Sequence, residues 1–153
     1  MSNAASRSLK FKVLGFSVNE LLVFCDRKPG TNKLPNKVAI SFYGAETTYG
    51  KLNELIDMFA WGLIRLGIKK GVAVSLLMPN CPRFIISYFG ILRAGGIVVP
   101  LNPMFKHAEI EHEIVDSMAE SLIVADYLYP EVERIRDQVC LKSVILTITE
   151  EVQ

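Results

Sequence analysis

Hydrophobic positions fall into short runs separated by proline, glycine and asparagine, and the clearest series lies between Gly67 and Pro103. Val72 to Met78 is an apolar run closed by Pro79-Asn80. A second apolar block, Cys81 to Ala94, is long enough only for a helix, and Gly95-Gly96 stops it. Ile97 to Leu101 is a third run, ending at Asn102-Pro103. The pattern predicts strand, helix, strand, joined by a connection too long for a hairpin and suited to a parallel crossover. Both strands are apolar at successive positions, which predicts burial on both faces. The helix after Pro82 is apolar nearly all round (Phe84, Ile85, Ile86, Tyr88, Phe89, Ile91, Leu92) and is predicted to be buried.

Elsewhere the pattern is equally local. Ser17 with Glu20 fits a capping box, predicting a short helix that Pro29-Gly30 ends. Thr31 to Asn36 reads as a loop. Val38, Ile40 and Phe42 alternate, so residues 37–43 are a predicted strand with one wetter face. Gly44 to Glu46 is a predicted turn, with a short strand at Thr47 to Tyr49. Leu52, Leu55, Ile56, Phe59, Leu63 and Leu66 recur every three or four residues and predict a helix from about Gly50 to Leu66, capped by Gly67. Trp61 lies off that stripe, so it packs on a neighbour or on protein outside this chain. His107 to Met118 is a predicted helix with Ile110, Ile114 and Met118 as its stripe. Ser121 to Ala125 is a predicted strand, Pro130 to Val139 a helix and Ser143 to Thr147 a strand. The order β, then α-β-α-β-α-β-α-β predicts a three-layer α/β/α fold with a mainly parallel, doubly wound sheet. Residues 1–5 look like an expression scar, 6–36 form a helix and loop, and 37–153 form the α/β unit.

Composition narrows the function classes. The chain has 153 residues, with 17 Lys and Arg against 16 Asp and Glu. A net charge near zero provides no footprint for nucleic acid or an anionic membrane. Half the residues are hydrophobic and mean hydropathy is +0.30. No run reaches the roughly 18–20 apolar residues of a membrane span. The excess goes into a buried sheet or a face that expects a partner. Three scattered cysteines, Cys25, Cys81 and Cys140, argue against a disulfide framework or zinc site, and no secretory signal is evident. The expected compartment is the cytoplasm.

Most candidate chemistry has a structural reading beside it. No GxGxxG follows a strand, and GxxxxGK[ST] and GxSxG are absent. Gly95-Gly96 follows a helix, so it reads as a cap and close-packing site rather than a phosphate cradle. His107 and His112, five apart, do not share a helical face; with Glu109, Glu111 and Glu113 they read as a solvated face more readily than a metal site. Cys81 sits at a helix N-terminus, which favours a thiolate, but no histidine is close in sequence to activate it. Phe84 to Phe89 reads as core packing, with a lipid pocket as the alternative.

These residues also resemble the start of the adenylate-forming superfamily, which includes acyl-CoA synthetases, peptide-synthetase adenylation domains and luciferases. The resemblance runs from about Val38 to Thr147. Thr48-Tyr49 with Leu52 resembles the first core motif, T-Y-x-E-L. Gly62-Leu63 through Gly71-Val72 resembles the segment GL…LG…GD-x-V, and Pro79-Asn80 its PN. Leu92-Arg93-Ala94-Gly95-Gly96 through Val99-Pro100-Leu101-Asn102-Pro103 resembles the second core motif, L-K-A-G-x-x-x-x-P-L-N-P. Glu109 and Asp116-Ser117 match the helix that usually follows. Asn102-Pro103, with a phenylalanine two residues on, is more like the acyl-CoA ligase branch than the peptide-synthetase branch. Lys51, Val72 and Met118 depart from the usual Glu, Asp and Gly at their positions.

The resemblance implies the N-terminal subdomain of an acyl-CoA ligase, with fatty acid as the favoured substrate class. The parent would use ATP, Mg and CoA to form an acyl adenylate and then an acyl-CoA. The family's phosphate loop, later nucleotide motifs and catalytic lysine are not in this chain, so it is expected to be an inactive fragment, partnered by the remainder of the ligase. No catalytic residue is assigned within it. Lys106 is the one candidate cofactor contact, toward a CoA phosphate, beside its plainer reading as a solvated lysine at a helix start. Two other classes stay open: a truncated ligase half acting as an interaction or homodimerisation module, and an unrelated small-ligand-binding α/β domain.

Overall fold

A computed structural model describes residues 10–13 and 35–148. The helix expected after Ser17 and most of the loop at 31–36 lie outside the described residues. The elements are β1 (Lys10–Val13), β2 (Val38–Phe42), β3 (Ala45–Thr48), α1 (Tyr49–Arg65), β4 (Ala73–Leu77), α2 (Pro82–Arg93), β5 (Ile97–Leu101), α3 (His107–Asp116), β6 (Ser121–Ala125), α4 (Tyr129–Glu133) and β7 (Ser143–Thr147). Strands β2 and β3 form a separate antiparallel hairpin. The other five form one parallel sheet in the order β1-β7-β6-β4-β5.

The fold is the expected three-layer α/β/α arrangement, and strand alternation shows why. Successive side chains of a strand point to opposite faces. On one face Val74, Leu76, Ile123, Ala125 and Ile145 pack with Leu52, Ile56, Phe59 and Leu63 of α1 and Ile86 and Ile91 of α2. On the other, Leu77, Leu122, Val124 and Val144 pack with Ile110 and Ile114 of α3 and Val132 of α4. Ile56, Leu63, Ile86, Ile110, Leu122 and Ile123 are among the side chains buried to below 2% exposure. Each is worth about 1.5–3 kcal/mol relative to an exposed position.

Three helices end in the same way. After α1, the N–H of Gly67 donates to Ile64 O and that of Ile68 to Leu63 O, both at 3.0 Å. After α2, Gly95 donates to Leu92 O at 3.0 Å and Gly96 to Ile91 O at 2.9 Å. After α3, Met118 donates to Val115 O and Ala119 to Ile114 O, both at 3.1 Å. These are paired 5→2 and 6→1 bonds, the Schellman closure, which puts the residue after the cap in the left-handed region. That residue has φ +97° at Gly67, +88° at Gly95 and +53° at Met118. The Gly95-Gly96 reading as cap and close-packing site holds: a Cβ on Gly96 would stand 2.8 Å from Ile91 Cγ2.

Several expectations need correction. β5 is an edge strand of the described sheet, so it is not buried on both faces: Ile97 is 53% exposed and only Leu101 is buried. Pro100, with no N–H to offer a neighbour, suits an edge. Helix α2 buries one face only. Phe84, Ile85, Tyr88 and Phe89 are half-buried, and Leu92 is 45% exposed. A helix in an outer layer meets the sheet on one side, whatever its composition. Met118 is not part of the α3 stripe; its left-handed backbone turns it out to 81% exposure. α4 stops at Glu133 rather than Val139, and bonds such as Gln138 N–H to Ile135 O carry the chain on as turns. The hairpin turn is Tyr43-Gly44, both with positive φ, one residue earlier than expected. β1 pairs with β7 from within the segment read as helix and loop.

Candidate functional site at the carboxyl edge of the sheet

In an open parallel sheet, ligands bind beyond the carboxyl ends of the strands, where the chain changes direction across the sheet. Here the chain steps from β4 outward to β5, then back across to β6 on the other side of β4. The switch lies between β4 and β6. Three loops meet this edge: residues 78–81 into α2, residues 102–106 into α3, and residues 126–128 into α4.

Each loop is held locally. Pro82 at the first turn of α2 needs no N–H partner, and Cys81, half-buried, occupies the N-cap. After β5, Asn102 Oδ1 accepts from Met104 N–H at 2.9 Å and Asn102 O from Phe105 N–H at 3.0 Å. This side-chain turn is what the Asn-Pro pair builds. After β6, a single 3₁₀ turn presents Asp126 and Tyr127. Burial first, then the charges of Cys81 and Asp126, push the Tyr127 hydroxyl above its ordinary pKa. Tyr129 is also raised, by burial and then by Glu133, with Arg136 opposing.

Lys106 stands at the N-cap of α3. Its backbone N–H donates to Glu109 Oε2 at 2.8 Å, one half of a capping box. Its side chain is 71% exposed, with Nζ 3.9 Å from Glu131 Oε1. Glu131, on α4, gathers the α3 start. His107 N–H and Nδ1 both lie 3.3 Å from its Oε2, and Arg134 Nη1 lies 3.5 Å away. Burial would raise the Glu131 carboxyl. The hydrogen bonds from His107, then the charges of Arg134 and Lys106, outweigh it and hold the carboxyl below its ordinary value. Sequence reasoning missed Glu131. Its i, i+3 spacing to Arg134 was visible, but not its reach to His107, 24 residues away.

The remaining candidates are separate. His107 meets Glu131, whereas His112 is exposed. Among the described residues no group of three His, Cys, Asp or Glu could hold a metal ion. Cys140 is exposed, and Cys25 lies outside the described residues. Tyr88 stacks edge-on to Phe89 at 5.1 Å and tilts toward Phe84 at 6.0 Å, so these rings pack on one another. No helix among the described residues is long and apolar enough to cross a membrane.

The family model for AMP-binding enzyme matches residues 28–152. The long-chain-fatty-acid–CoA ligase of Bacillus subtilis is 35% identical over 116 residues, 75% of this chain and 20% of that protein. Among solved structures, an anthranilate CoA ligase in complex with anthranoyl-AMP aligns with a TM-score of 0.71 and 29% identity over 74% of this chain and 22% of that one. The N-terminal domain of FACL13 from Mycobacterium tuberculosis aligns with a TM-score of 0.62 and 30% identity, over 66% of this chain and 27% of that one. The chain spans about a fifth of the length of the curated relatives it matches.

Proposed function

The chain belongs to the AMP-binding enzyme family, most like the long-chain-fatty-acid–CoA ligases, and from that premise we propose that it serves as the N-terminal subdomain, residues 37–153, of an ATP-dependent ligase that activates a fatty acid. The observation that carries the reading is the match over residues 28–152, within which 116 residues are 35% identical to a fatty-acid ligase. In the complete enzyme a carboxylate attacks the α-phosphorus of ATP, pyrophosphate leaves, and the acyl adenylate is formed. The CoA thiol then takes the acyl group and AMP departs.

This subdomain supplies scaffold to that chemistry. No step with ATP or Mg is assigned to the described residues. For CoA the fit is better. Lys106 is exposed at the carboxyl edge beside the α3 N-terminus, where both the ammonium and the helix dipole favour an anion. In our reading Lys106 Nζ holds a CoA phosphate, while Glu131 and Glu109 fix the backbone around it. The remainder of the ligase is the partner, and the compartment is the cytoplasm.

The test is fatty-acid-dependent ATP–pyrophosphate exchange by the complete enzyme carrying this chain, beside the chain alone. Exchange stimulated by long-chain acids in the first and none in the second is the expected result. Exchange by the chain alone overturns the scaffold role, and indifference to fatty acids overturns the substrate class. Lys106→Ala is expected to raise KM for CoA and leave the exchange unchanged; an unaltered KM removes the CoA contact.

A further inference from the structure

Helices α3 and α4 pack through Ile110, Ile114 and Val132. At the carboxyl edge one carboxylate also joins them. Glu131 is in the first turn of α4, between Pro130 and the buried Val132, and its side chain is 20% exposed. Its Oε2 lies 3.3 Å from both the backbone N–H and Nδ1 of His107, and 3.5 Å from Arg134 Nη1. Its Oε1 faces Lys106 Nζ at 3.9 Å, beyond hydrogen-bond reach. Helix α3 does not need this carboxylate in order to start, because Glu109 already accepts the Lys106 N–H from within the helix. Glu131 adds a partner for the first helical N–H, which a helix cannot satisfy by itself, and brings it from 24 residues away. The segment that carries Lys106 is thereby held at both ends. Asn102 closes the turn before it by accepting from Met104 N–H at 2.9 Å, and Glu131 holds His107 just after it. Between them Phe105 packs on the cluster that contains Leu101 and Ile110.

We propose that Glu131 is a positioning residue for the CoA step: it fixes the start of α3 against α4, so that Lys106 Nζ is presented to a CoA phosphate. This rests on the reading of Lys106 as the CoA contact. The geometry favours position over charge as the way Glu131 acts. A bare carboxylate beside the Lys106 ammonium would repel an incoming phosphate. Here Arg134, and the His107 imidazole when protonated, offset it at the other oxygen. The two accounts predict opposite signs. If Glu131 acted through its charge, removing it would strengthen CoA binding. Acting through position, its removal weakens CoA binding.

The test uses the complete enzyme carrying this chain and reads KM for CoA apart from kcat. Glu131→Ala is expected to raise KM about fivefold, the worth of one hydrogen bond, with kcat and ATP–pyrophosphate exchange unchanged. Glu131→Gln keeps an oxygen for the His107 N–H and should restore KM to the wild-type value. Adding Glu131→Ala to Lys106→Ala should change KM no further. An unaltered or lowered KM in Glu131→Ala overturns the proposal. So does an equal rise in Glu131→Gln, or a rise that persists when Lys106 is already alanine. Lys106→Ala alone decides the CoA contact: no rise there overturns reading and proposal together, whereas a rise there with none in Glu131→Ala overturns the proposal alone. Amide hydrogen exchange at His107 in this chain, with no CoA present, tests the hold on α3 separately. It should be faster in Glu131→Ala than in the wild type or Glu131→Gln. Equal rates overturn the positioning role, whatever Lys106 binds.

Discussion

Gly90 of α2 lies against the ring of Phe59 on α1, so closely that a Cβ at Gly90 would stand 2.5 Å from Phe59 Cδ1. Phe59 is 3% exposed and has little room to withdraw. Gly90→Ala is therefore expected to destabilise the chain by about 1–3 kcal/mol through overpacking. Urea unfolding measures it. Combining it with Phe59→Leu should recover part of the loss; if Gly90→Ala alone is neutral, the two helices are not in tight contact there.

Met118 has the left-handed backbone that glycine supplies at the other two helix ends. Met118→Gly removes the Cβ clash without touching a buried side chain and should raise stability by about 1 kcal/mol. Gly95→Ala should do the reverse, because its φ is +88° and a Cβ would meet Lys70 N at 3.1 Å. Denaturation midpoints of the two variants moving in the same direction would contradict this account.

Thr48 caps α1, accepting from Lys51 N–H at 3.3 Å. The third helical position is Lys51, where a capping box has Glu or Gln, and the first turn carries no acid. Lys51→Glu is expected to stabilise by about 0.3–1 kcal/mol, through the helix dipole and the reciprocal cap. Loss of the exposed pair with Glu54, and the like-charge pair that replaces it, each subtract a few tenths of a kcal/mol, about 0.2–0.5, so the net gain lies at the lower end of that range. A lower thermal midpoint for the variant would reverse the prediction.

Arg93 closes α2 onto α1. Its Nη1 lies 2.6 Å from Asp57 Oδ1, and Nη2 lies 3.0 Å from Asn53 Oδ1. Asp57 is half exposed, so screening keeps the pair modest. A double-mutant cycle with Arg93→Ala and Asp57→Ala should give a coupling of about 0.5–1 kcal/mol that shrinks in high salt. A coupling of zero at low salt would mean that the geometry contributes nothing.

Glu131 has a folded carboxyl pKa below its ordinary 4.5. A depressed carboxylate binds its proton less readily when folded. Its stabilising contribution is therefore present above the unfolded value and is lost as pH falls through the folded one. Stability should fall on acidification below about pH 4.5. That fall should be shallower in Glu131→Gln, as read from urea midpoints across the acid range. Identical slopes for the two proteins would remove Glu131 from the acid response.

The sequence pattern anticipated much of this because the cues are local. β6 and β7 run as expected from their apolar runs. α1 spans Tyr49–Arg65 because its stripe recurs within one helix and its caps, Thr48 and Gly67, touch only their own ends. The carboxyl-edge site was legible in part. Asn102 closes its own turn, and Lys106 starts α3, as their positions along the chain imply. Glu131 was not legible, because its partner His107 belongs to another helix.

By itself, then, the sequence determined α1 and α2 with their glycine stops, the strands β4 to β7, the three-layer class and the family resemblance, since periodicity and capping are settled within a few residues. Only the tertiary structure decided that β5 lies at an edge, that α2 buries one face, that Arg93 reaches Asp57 across 36 residues and that Trp61 faces outward. The physical reason is common to all four: exposure and pairing depend on which distant segments the sheet order brings together. A continuous apolar run looks the same in a central strand as at an edge.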